Sequence, residues 1–384
     1  MKKMIIFAAV VAIAGIIVGV TYVKQQKIIS PLGKGILLQE KKLLQYSYTA
    51  LQKSLFSGGE IAIGDVIKDK EEFSSYLFYF NVRGKKVSGL MNLPKKPGDY
   101  PVIIMIRGYA DKDIYEPGVG TSHGGELMAE NGFITLAPDF LGYGFSDKEP
   151  PDAMEDRFLT YVTVLELISS IKNLNAALEN IGLAARFDKT NLGIWGHSNG
   201  GQIALSVLEI SGKEYPTALW APVSKPFPYS ILYYTDDIPD HGRALRKVVA
   251  DFEKDYDAEK YSFTNYLDRI KAPLQIHQGG ADEEVPQKWS DTLVETLKEK
   301  EKDVEYFVYP GEVHNFDQGN WNLVMQRTMT FYNKWFRTHL KTSARYDVFR
   351  TPTPRLSGTS AICSKRISSL QLGLIYKFQI FSRL

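Results

Sequence analysis

A serine between glycines marks a position where residue types and spacing indicate a nucleophile. Gly196, Ser198 and Gly200 form a G-x-S-x-G pattern, which follows the apolar segment 192–195 and precedes a helix-compatible segment. On a sharp strand-to-helix turn the serine hydroxyl is lifted out of the sheet, and the flanking positions must be glycine to avoid clashes. The N–H of the next residue, Asn199, then faces the oxyanion that forms when the serine attacks a carbonyl group. The pattern therefore predicts acyl-transfer chemistry at Ser198.

Apolar strands and helices alternate on both sides of this turn. Strands without polar alternation that alternate with helices indicate a mostly parallel, doubly wound sheet that is covered on both faces. The ligand site of such a sheet is expected at the carboxyl ends of its strands. The predicted strands are 102–106, 133–137, 192–195, 218–220, 274–277 and 304–309, and the predicted helices are 122–131, 152–181, 200–210, 287–300 and 321–339.

Two further features precede this alternating region. The turn residues 83–85 separate the segments 76–82 and 86–93, which predicts an N-terminal antiparallel hairpin. The segment 35–57 has helix-compatible spacing of its leucines and tyrosines. Residues 24–75 are therefore interpreted as a linker with an N-terminal helix.

A long insertion interrupts the alternation of strands and helices. Residues 223–271 contain Pro226, Pro228 and Pro239 together with several tyrosines. The stretch is long for a loop in a compact domain, which indicates a functional insertion. We interpret it as a small cap over the site, within an α/β domain that spans residues 76–340.

The chain resembles the α/β-hydrolase superfamily and, most closely, the catalytic domain of the prolyl oligopeptidase family of serine peptidases and related esterases. Besides the glycine–serine turn, the resemblance is carried by residues 132–139 with 142–144 and by residues 266–273. It runs from about residue 76 to residue 339. The resemblance implies the α/β-hydrolase fold, and a serine, an acid and a histidine in that chain order.

A serine hydroxyl is a weak nucleophile and needs a general base within hydrogen-bond reach. By the chain order that the resemblance implies, the base lies just after the last strand, where His314 is found. His197 adjoins the serine and is expected to point away from the site, and His277 is expected to pack at the end of its strand. The remaining histidines are His123, which precedes the serine, His241 in the predicted cap, and His339 near the end of the last predicted helix.

The acid that orients the histidine is expected in the loop after the strand 274–277. Asp282 occupies the position that the resemblance implies, and the small residues before it allow a tight turn toward the histidine. Glu283 and Glu284 are the alternatives, because a run of three acids is also typical of a solvated loop.

The second oxyanion donor is expected from the loop after the strand 102–106. By resemblance this donor is the backbone N–H of Tyr109. Arg107 stands where the family commonly has a histidine. We interpret Arg107 as one partner of a structural ion pair with Asp111 or Asp113, and binding of a substrate carboxylate is the alternative.

The N-terminal residues 4–23 carry no charged side chain. A helix of twenty residues at about 1.5 Å per residue spans roughly 30 Å, the thickness of a bilayer's hydrocarbon core. An uncleaved signal anchor fits the full apolar length, and a signal peptide cleaved near residues 12–14 is the alternative. Segment 1–23 therefore predicts a membrane-anchored protein with an extracytoplasmic catalytic domain, or a secreted one after cleavage.

The C-terminal residues 341–384 carry eight Lys or Arg side chains and one acid, a local charge of +7 (8 − 1). The alternation of apolar residues between 370 and 380 is compatible with an edge strand. We nevertheless expect a poorly ordered basic tail outside the fold, and no function is assigned to it.

Composition limits the partners of the chain. The 46 basic and 44 acidic residues give a net charge of +2, which argues against a nucleic-acid partner. The single cysteine, Cys363, excludes an intramolecular disulfide and a cysteine-based metal site. The glycine-rich segment 118–120 does not directly follow a strand, so it is not interpreted as a dinucleotide site. We expect no cofactor or metal, and a small ester or short peptide as substrate.

The leading hypothesis is a serine hydrolase that cleaves an ester or a peptide bond through an acyl-enzyme, similar to the prolyl oligopeptidases. The alternatives are a carboxylesterase or lipase-like esterase and an acyltransferase, which would use the same acyl-enzyme. Residues 24–75 are too few for the β-propeller of those peptidases, whose blades need about 40–45 residues each. A non-catalytic binding module would require that a member of the serine–histidine–acid set be missing or displaced.

Overall fold

A computed structural model describes residues 41–235 and 240–336 of the 384-residue chain. The strands in these ranges form one sheet with the order β1-β2-β3-β5-β4-β6-β7-β8-β9. Their bounds are Ala62–Asp69 (β1), Phe73–Val82 (β2), Lys85–Pro94 (β3), Gly98–Ile106 (β4), Ile134–Pro138 (β5), Ala185–His197 (β6), Thr217–Trp220 (β7), Leu274–Gly279 (β8) and Val304–Tyr309 (β9).

The sheet has an antiparallel and a parallel part. Strands β1, β2 and β3 pair antiparallel, and β3 also pairs antiparallel with β5. From β5 across β4, β6, β7 and β8 to β9 every pairing is parallel. The predicted hairpin and the predicted mostly parallel sheet are both confirmed. The carboxyl ends of β4, β6, β8 and β9 consequently lie along the same edge of the sheet.

Helices connect the parallel strands and cover the sheet. The long helix predicted over 152–181 is broken by a 3-10 turn at Ile171–Asn173. At this break the Ser170 hydroxyl accepts a hydrogen bond from the Gly59 N–H (2.9 Å), and the Asn173 amide donates to the Gly59 carbonyl (2.8 Å). The α-helices are Tyr48–Lys53, Ser122–Glu130, Ala153–Ser170, Leu174–Asn180, Asn199–Ser211, Tyr229–Leu232, Arg243–Glu253, Gln287–Glu299 and Trp321–Trp335.

The segment ahead of the hairpin contributes to the fold. Strand β1 pairs with β2, so the sheet begins before residue 76, where the domain was predicted to start. The helix predicted over 35–57 is represented, from residue 41 onward, by the 3-10 helix Lys42–Tyr46 and the α-helix Tyr48–Lys53. Residues 24–75 are therefore more than a linker, because their described part supplies a strand and two helices.

Tyr48 anchors this segment. Its side chain is completely buried, and its ring stacks on that of Tyr266 with the centroids 4.8 Å apart. The Tyr48 and Ser206 hydroxyls share a hydrogen bond of 2.6 Å, which reaches the helix that follows Ser198. The N-terminal segment is thus bonded to the helix behind the candidate nucleophile.

Between β7 and β8 the chain forms the predicted insertion, here a set of short helices. Its largest helix, Arg243–Glu253, places Phe252 against an aromatic cluster with Phe158, Phe227 and Tyr261. Apolar packing on helix Ala153–Ser170 therefore fixes this part of the insertion to the body of the fold.

The predicted signal segment 1–23 and the predicted basic tail 341–384 lie outside the described residues. Among residues 41–235 and 240–336, no helix combines the length and the apolar character needed to cross a membrane.

We predict that Tyr48→Ala lowers the free energy of unfolding by about 3–5 kcal/mol, because it removes a buried aromatic ring and leaves a cavity. Urea unfolding monitored by circular dichroism measures this change. Leu55→Ala is the matched control, since Leu55 lies in the same segment and is 90% exposed. Equal stability of the two variants would show that the segment does not contribute to the fold.

Candidate active site

The chain turns sharply at Ser198, between β6 and the helix Asn199–Ser211. Ser198 has φ 56° and ψ −122°, a backbone conformation that costs energy for any residue with a side chain. Three hydrogen bonds hold it: the Ser198 N–H donates to the Trp220 carbonyl (2.9 Å), and the Ser198 carbonyl accepts from the N–H groups of Gly201 and Val223 (3.0 Å each). The predicted strand–turn–helix arrangement is present.

Close backbone contacts explain the glycines on either side. A Cβ atom on Gly196 would lie 2.6 Å from the carbonyl oxygen of Gly200. A Cβ atom on Gly200 would overlap the carbonyl oxygen of Ile106, at the end of β4, and would lie 2.5 Å from that of Arg107. Real Cβ atoms do not approach backbone oxygens so closely, so only glycine allows the turn to pack against β4.

His314 and Asp282 are joined by a hydrogen bond. His314 lies in the loop after β9, and its Nδ1 is 2.9 Å from Oδ2 of Asp282, in the loop after β8. Because an ionised carboxylate only accepts hydrogen bonds, Nδ1 carries the proton and Nε2 is the basic nitrogen. Of the three consecutive acids, the structure therefore brings Asp282 to the histidine, rather than Glu283 or Glu284.

The Asp282 carboxylate is fully buried and accepts further hydrogen bonds. Its Oδ1 accepts from the N–H groups of Glu284 and Val285 (2.9 Å each), and its Oδ2 accepts from the Gln278 side-chain amide (3.1 Å). Gln278 in turn accepts from the Ser290 hydroxyl (2.7 Å). These bonds fix the carboxylate in the orientation that His314 requires. The positioning role of Gln278 was not predicted, since a single glutamine in a strand carries no pattern.

The loops that carry the acid and the base are bonded to each other through their backbones. The Gly280 N–H donates to the Tyr309 carbonyl, and the Ala281 N–H donates to the Glu312 carbonyl (2.9 Å each). The buried Glu312 carboxylate accepts hydrogen bonds from the N–H groups of Gln318 (3.0 Å) and Asn320 (2.7 Å). The histidine loop is therefore held on both sides of His314.

His197 faces the candidate base, and the prediction that it points away from the site was wrong. Its Nε2 is 3.0 Å from the backbone carbonyl oxygen of His314, and the two rings lie 4.6 Å apart. Burial lowers the pKa of His197 to about 3, so the neutral ring donates from Nε2 to the carbonyl. This contact connects the residue before Ser198 to His314. Chain position could not reveal it, because the two residues are far apart in sequence.

The loop after β4 lies directly against Ser198. A Cβ atom on Gly108 would be 2.9 Å from the Ser198 Cβ and 3.4 Å from its Oγ. The next residue is Tyr109, and within the part of the chain that the structure describes no acceptor is found for its N–H. Asn199 begins the helix after the nucleophile, so its N–H is one of the four that lack an intrahelical partner. Of the two predicted oxyanion donors, Asn199 thus adjoins Ser198 in the chain, and Tyr109 follows the glycine that lies against it.

Arg107 does not follow either prediction made for it. Its side chain is 6% exposed, and its guanidinium donates hydrogen bonds to the backbone carbonyls of Gly108 (2.9 Å) and Asp139 (3.0 Å). It is thus bonded to backbone, in place of the predicted ion pair with Asp111 or Asp113. A buried guanidinium with these partners does not present itself to a substrate carboxylate either.

His277 and His123 make contacts that do not involve Ser198, Asp282 or His314. His277 is completely buried as expected, with Nδ1 2.8 Å from the Tyr309 hydroxyl, and burial lowers its pKa to about 3. The His123 ring packs on that of Trp321, with centroids 3.9 Å apart. The rings of His123 and Trp321 border a cavity of about 170 Å³ that His197 also lines. No group of three or more His, Cys, Asp or Glu residues in the described ranges could hold a metal ion.

These features define the class of protein. The chain has the α/β-hydrolase fold, with the nucleophile turn after one parallel strand and the acid and the histidine after two later strands. It is a serine hydrolase. The model of the prolyl oligopeptidase family (Peptidase_S9) matches residues 120–341, more than half of the chain. The chain belongs to this family.

The chain is also similar to individual proteins. The uncharacterized peptidase YtmA of Bacillus subtilis (strain 168) is 26% identical over 283 residues, which cover 70% of this chain and 100% of that protein. Acetyl xylan esterase 1 from Thermoanaerobacterium sp. is 17% identical, with a TM-score of 0.52 over 76% of this chain and 94% of the esterase. The puromycin-hydrolyzing peptidase of Mycobacterium tuberculosis is 17% identical, with a TM-score of 0.51 over 69% of this chain and 40% of that one. At such identities the solved structures show the shared fold alone.

The two buried histidines predict a loss of stability in acid. In the folded chain burial lowers the pKa of His197 and of His277 to about 3. In the unfolded chain a histidine binds a proton below about pH 6.5. Their contribution to stability is therefore complete above pH 6.5 and is lost as the pH falls toward 3. We expect His277→Gln to reduce the slope of unfolding free energy against pH by about 1.4 kcal/mol per pH unit between pH 5.5 and 4.

Urea unfolding at a series of pH values measures this slope. Leu55→Gln is the control, because Leu55 is exposed and its replacement removes no titratable group, so its slope should equal that of the unmodified protein. An unchanged slope in His277→Gln would mean that His277 takes up its proton in the folded state.

Proposed function

We propose that the chain hydrolyses short peptides or small esters through an acyl-enzyme on Ser198, with His314 as the general base and Asp282 as the group that orients it. The observation that carries the proposal is the 2.9 Å bond between His314 Nδ1 and Asp282, in a chain whose Ser198 lies on a strained strand-to-helix turn. His197 supports it, because its hydrogen bond to the His314 carbonyl connects the base to the turn.

The roles follow from which atoms carry protons. His314 Nε2 takes the hydroxyl proton of Ser198 while the oxygen attacks the carbonyl carbon, and the imidazolium is stabilised by the Asp282 carboxylate. The carbonyl oxygen becomes negative and accepts hydrogen bonds from the N–H groups of Tyr109 and Asn199. His314 then donates the proton to the leaving amine or alcohol. A water molecule attacks the acyl-enzyme by the same route, releases the acid and restores the serine hydroxyl.

The family and the name of the B. subtilis relative favour a peptide substrate. We also propose that residues 223–271 act as a cap. This rests on two contacts: the Val223 N–H donates to the Ser198 carbonyl (3.0 Å), and the Tyr234 hydroxyl donates to the Glu284 carbonyl (3.1 Å), beside Asp282. The half-exposed side chains of Tyr109 and Tyr229 present aromatic surface, which suits an apolar acyl group or side chain. An ester substrate is the second candidate.

We predict that a fluorophosphonate probe labels the protein and that Ser198→Ala abolishes labelling. Asp282→Asn should lower kcat by about 10³–10⁴-fold, because the carboxylate no longer stabilises the correct histidine tautomer. Glu283→Gln is the matched control at the neighbouring exposed acid, and its kcat should equal that of the unmodified enzyme. Labelling that survives Ser198→Ala, or a larger loss in Glu283→Gln than in Asp282→Asn, would refute the assignment.

A panel of p-nitrophenyl esters and of aminoacyl and prolyl amides distinguishes the two candidate substrates. For a peptidase we expect a larger rate enhancement on the amides than on esters of the same acyl group. The rate enhancement is kcat/KM divided by the rate constant of the uncatalysed reaction. Activity on the esters alone would favour the esterase, and transfer to an added alcohol in preference to water would favour an acyltransferase.

We further propose that residues 4–23 anchor the protein in a membrane, with the catalytic domain on the extracytoplasmic side. The support is the uncharged length of this segment, which equals the thickness of the bilayer core. We predict that the full chain sediments with membranes and resists extraction at high salt, whereas a chain beginning at residue 41 does not. Mass spectrometry of the mature N-terminus tests the alternative, since a start after residue 14 would indicate cleavage and secretion.

A further inference from the structure

The buried Arg107 guanidinium bonds to the loop that touches Ser198. Its Nη1 donates to the carbonyl oxygen of Gly108 (2.9 Å), and its Nη2 donates to the carbonyl oxygen of Asp139 (3.0 Å). Asp139 directly follows β5, the parallel neighbour of β4. One side chain thus joins the loops that leave two adjacent strands.

The Gly108 carbonyl and the Tyr109 N–H belong to the same peptide group. A peptide group is planar and trans, so its C=O and N–H bonds point in opposite directions. The guanidinium that holds the Gly108 carbonyl therefore also fixes the direction of the Tyr109 N–H, away from Arg107. Because the donor is a cation, the bond also polarises the peptide and strengthens its N–H as a donor.

The guanidinium is itself held firmly. It lies over the Tyr143 ring at 4.1 Å and over the Tyr115 ring at 4.8 Å from the ring centroids. The buried Asp139 carboxylate accepts hydrogen bonds from the Tyr115 hydroxyl (2.7 Å) and the Ser88 hydroxyl (2.6 Å). Contacts thus extend from Ser88 on β3 through Asp139 to Arg107, whose hydrogen bonds are made by Nη1 and Nη2, while its buried Nε has no partner among the described residues.

We propose that Arg107 is a positioning residue for catalysis, which orients and polarises the peptide between Gly108 and Tyr109 so that the Tyr109 N–H serves as an oxyanion donor. This inference rests on the proposed acyl-transfer function. Arg107 acts through the backbone and does not contact the substrate. Its removal should therefore weaken binding of the transition state and leave binding of the substrate nearly unchanged.

Two substitutions test the role of Arg107. Arg107→Met keeps the length and packing of the side chain but donates no hydrogen bond, and loss of a well-placed oxyanion donor typically costs about 10²–10³-fold in kcat. Because the Tyr109 N–H is still present in this variant, we expect a fall of about 10–100-fold in kcat with KM within threefold. Arg107→Lys should fall between Arg107→Met and the unmodified enzyme, since a single ammonium group cannot reproduce the planar fork.

A peptide boronic acid reports the oxyanion hole separately, because it forms a tetrahedral anionic adduct with the nucleophilic serine. Its affinity should fall by the same factor as kcat/KM in both variants. Arg83→Met is the matched control: the Arg83 guanidinium also lies over a tyrosine ring, 5.0 Å from the centroid of Tyr46, but Arg83 lies in the turn between β2 and β3, in the antiparallel part of the sheet. This variant should keep both kcat and boronate affinity.

A nuclear magnetic resonance measurement tests the peptide directly and requires no activity. Labelling glycine with ¹³C at the carbonyl and tyrosine with ¹⁵N selects Gly-Tyr pairs, which occur in the sequence only at 108–109 and 142–143. Tyr143→Phe removes one signal and thereby assigns the other to Tyr109. A hydrogen bond to the preceding carbonyl deshields an amide nitrogen, so the Tyr109 signal should move upfield in Arg107→Lys and Arg107→Met.

Results that overturn the role of Arg107 differ from results that overturn the proposed function. A folded Arg107→Met enzyme with kcat and boronate affinity within threefold of the unmodified protein overturns the inference, as does an unmoved Tyr109 signal. A fall in kcat without a fall in boronate affinity also overturns it. If Arg107→Met does not fold, Arg107→Lys carries the same comparisons. Failure of the proposed function itself appears differently, as an unmodified protein that neither turns over substrate nor shows Ser198-dependent labelling.

Discussion

The approach of the Ser198 turn to the ends of β4 and β7 is the constraint on which the site depends. Gly200 has no room for a Cβ beside the Ile106 carbonyl, and the Ser198 N–H is bonded to the Trp220 carbonyl. The strained backbone of Ser198 persists because neighbouring strands hold it from both sides. The same close packing brings the loop after β4, which contains Gly108, against the serine side chain.

The acid and the histidine lie at the same edge of the sheet as this turn because parallel strands end there. Asp282 follows β8 and His314 follows β9, and these adjacent strands pair in parallel register. Backbone pairing of the two strands is therefore sufficient to place the two loops side by side. The buried hydrogen bonds of Asp282 and the contact between His197 and His314 then determine the orientation within the site.

Much of this arrangement was predictable from the sequence, and the exceptions have physical causes. The turn at Ser198 was predictable because its glycines are required sterically, and His314 and Asp282 were predicted from the chain order that the family resemblance implies. Strand β1 was missed because it is an edge strand, largely exposed, and lacks an apolar run. The predictions for His197 and Arg107 were wrong because the orientation of each side chain depends on the backbone carbonyl of a residue that is distant in sequence.

The backbone bonds between the two catalytic loops have a consequence for the energetics of turnover. Because Gly280 and Ala281 are bonded to the segment that leads to His314, the imidazole and the carboxylate already form one rigid unit in the free protein. The conformational entropy of bringing them together is lost once, on folding, and is not part of the activation barrier of each reaction cycle.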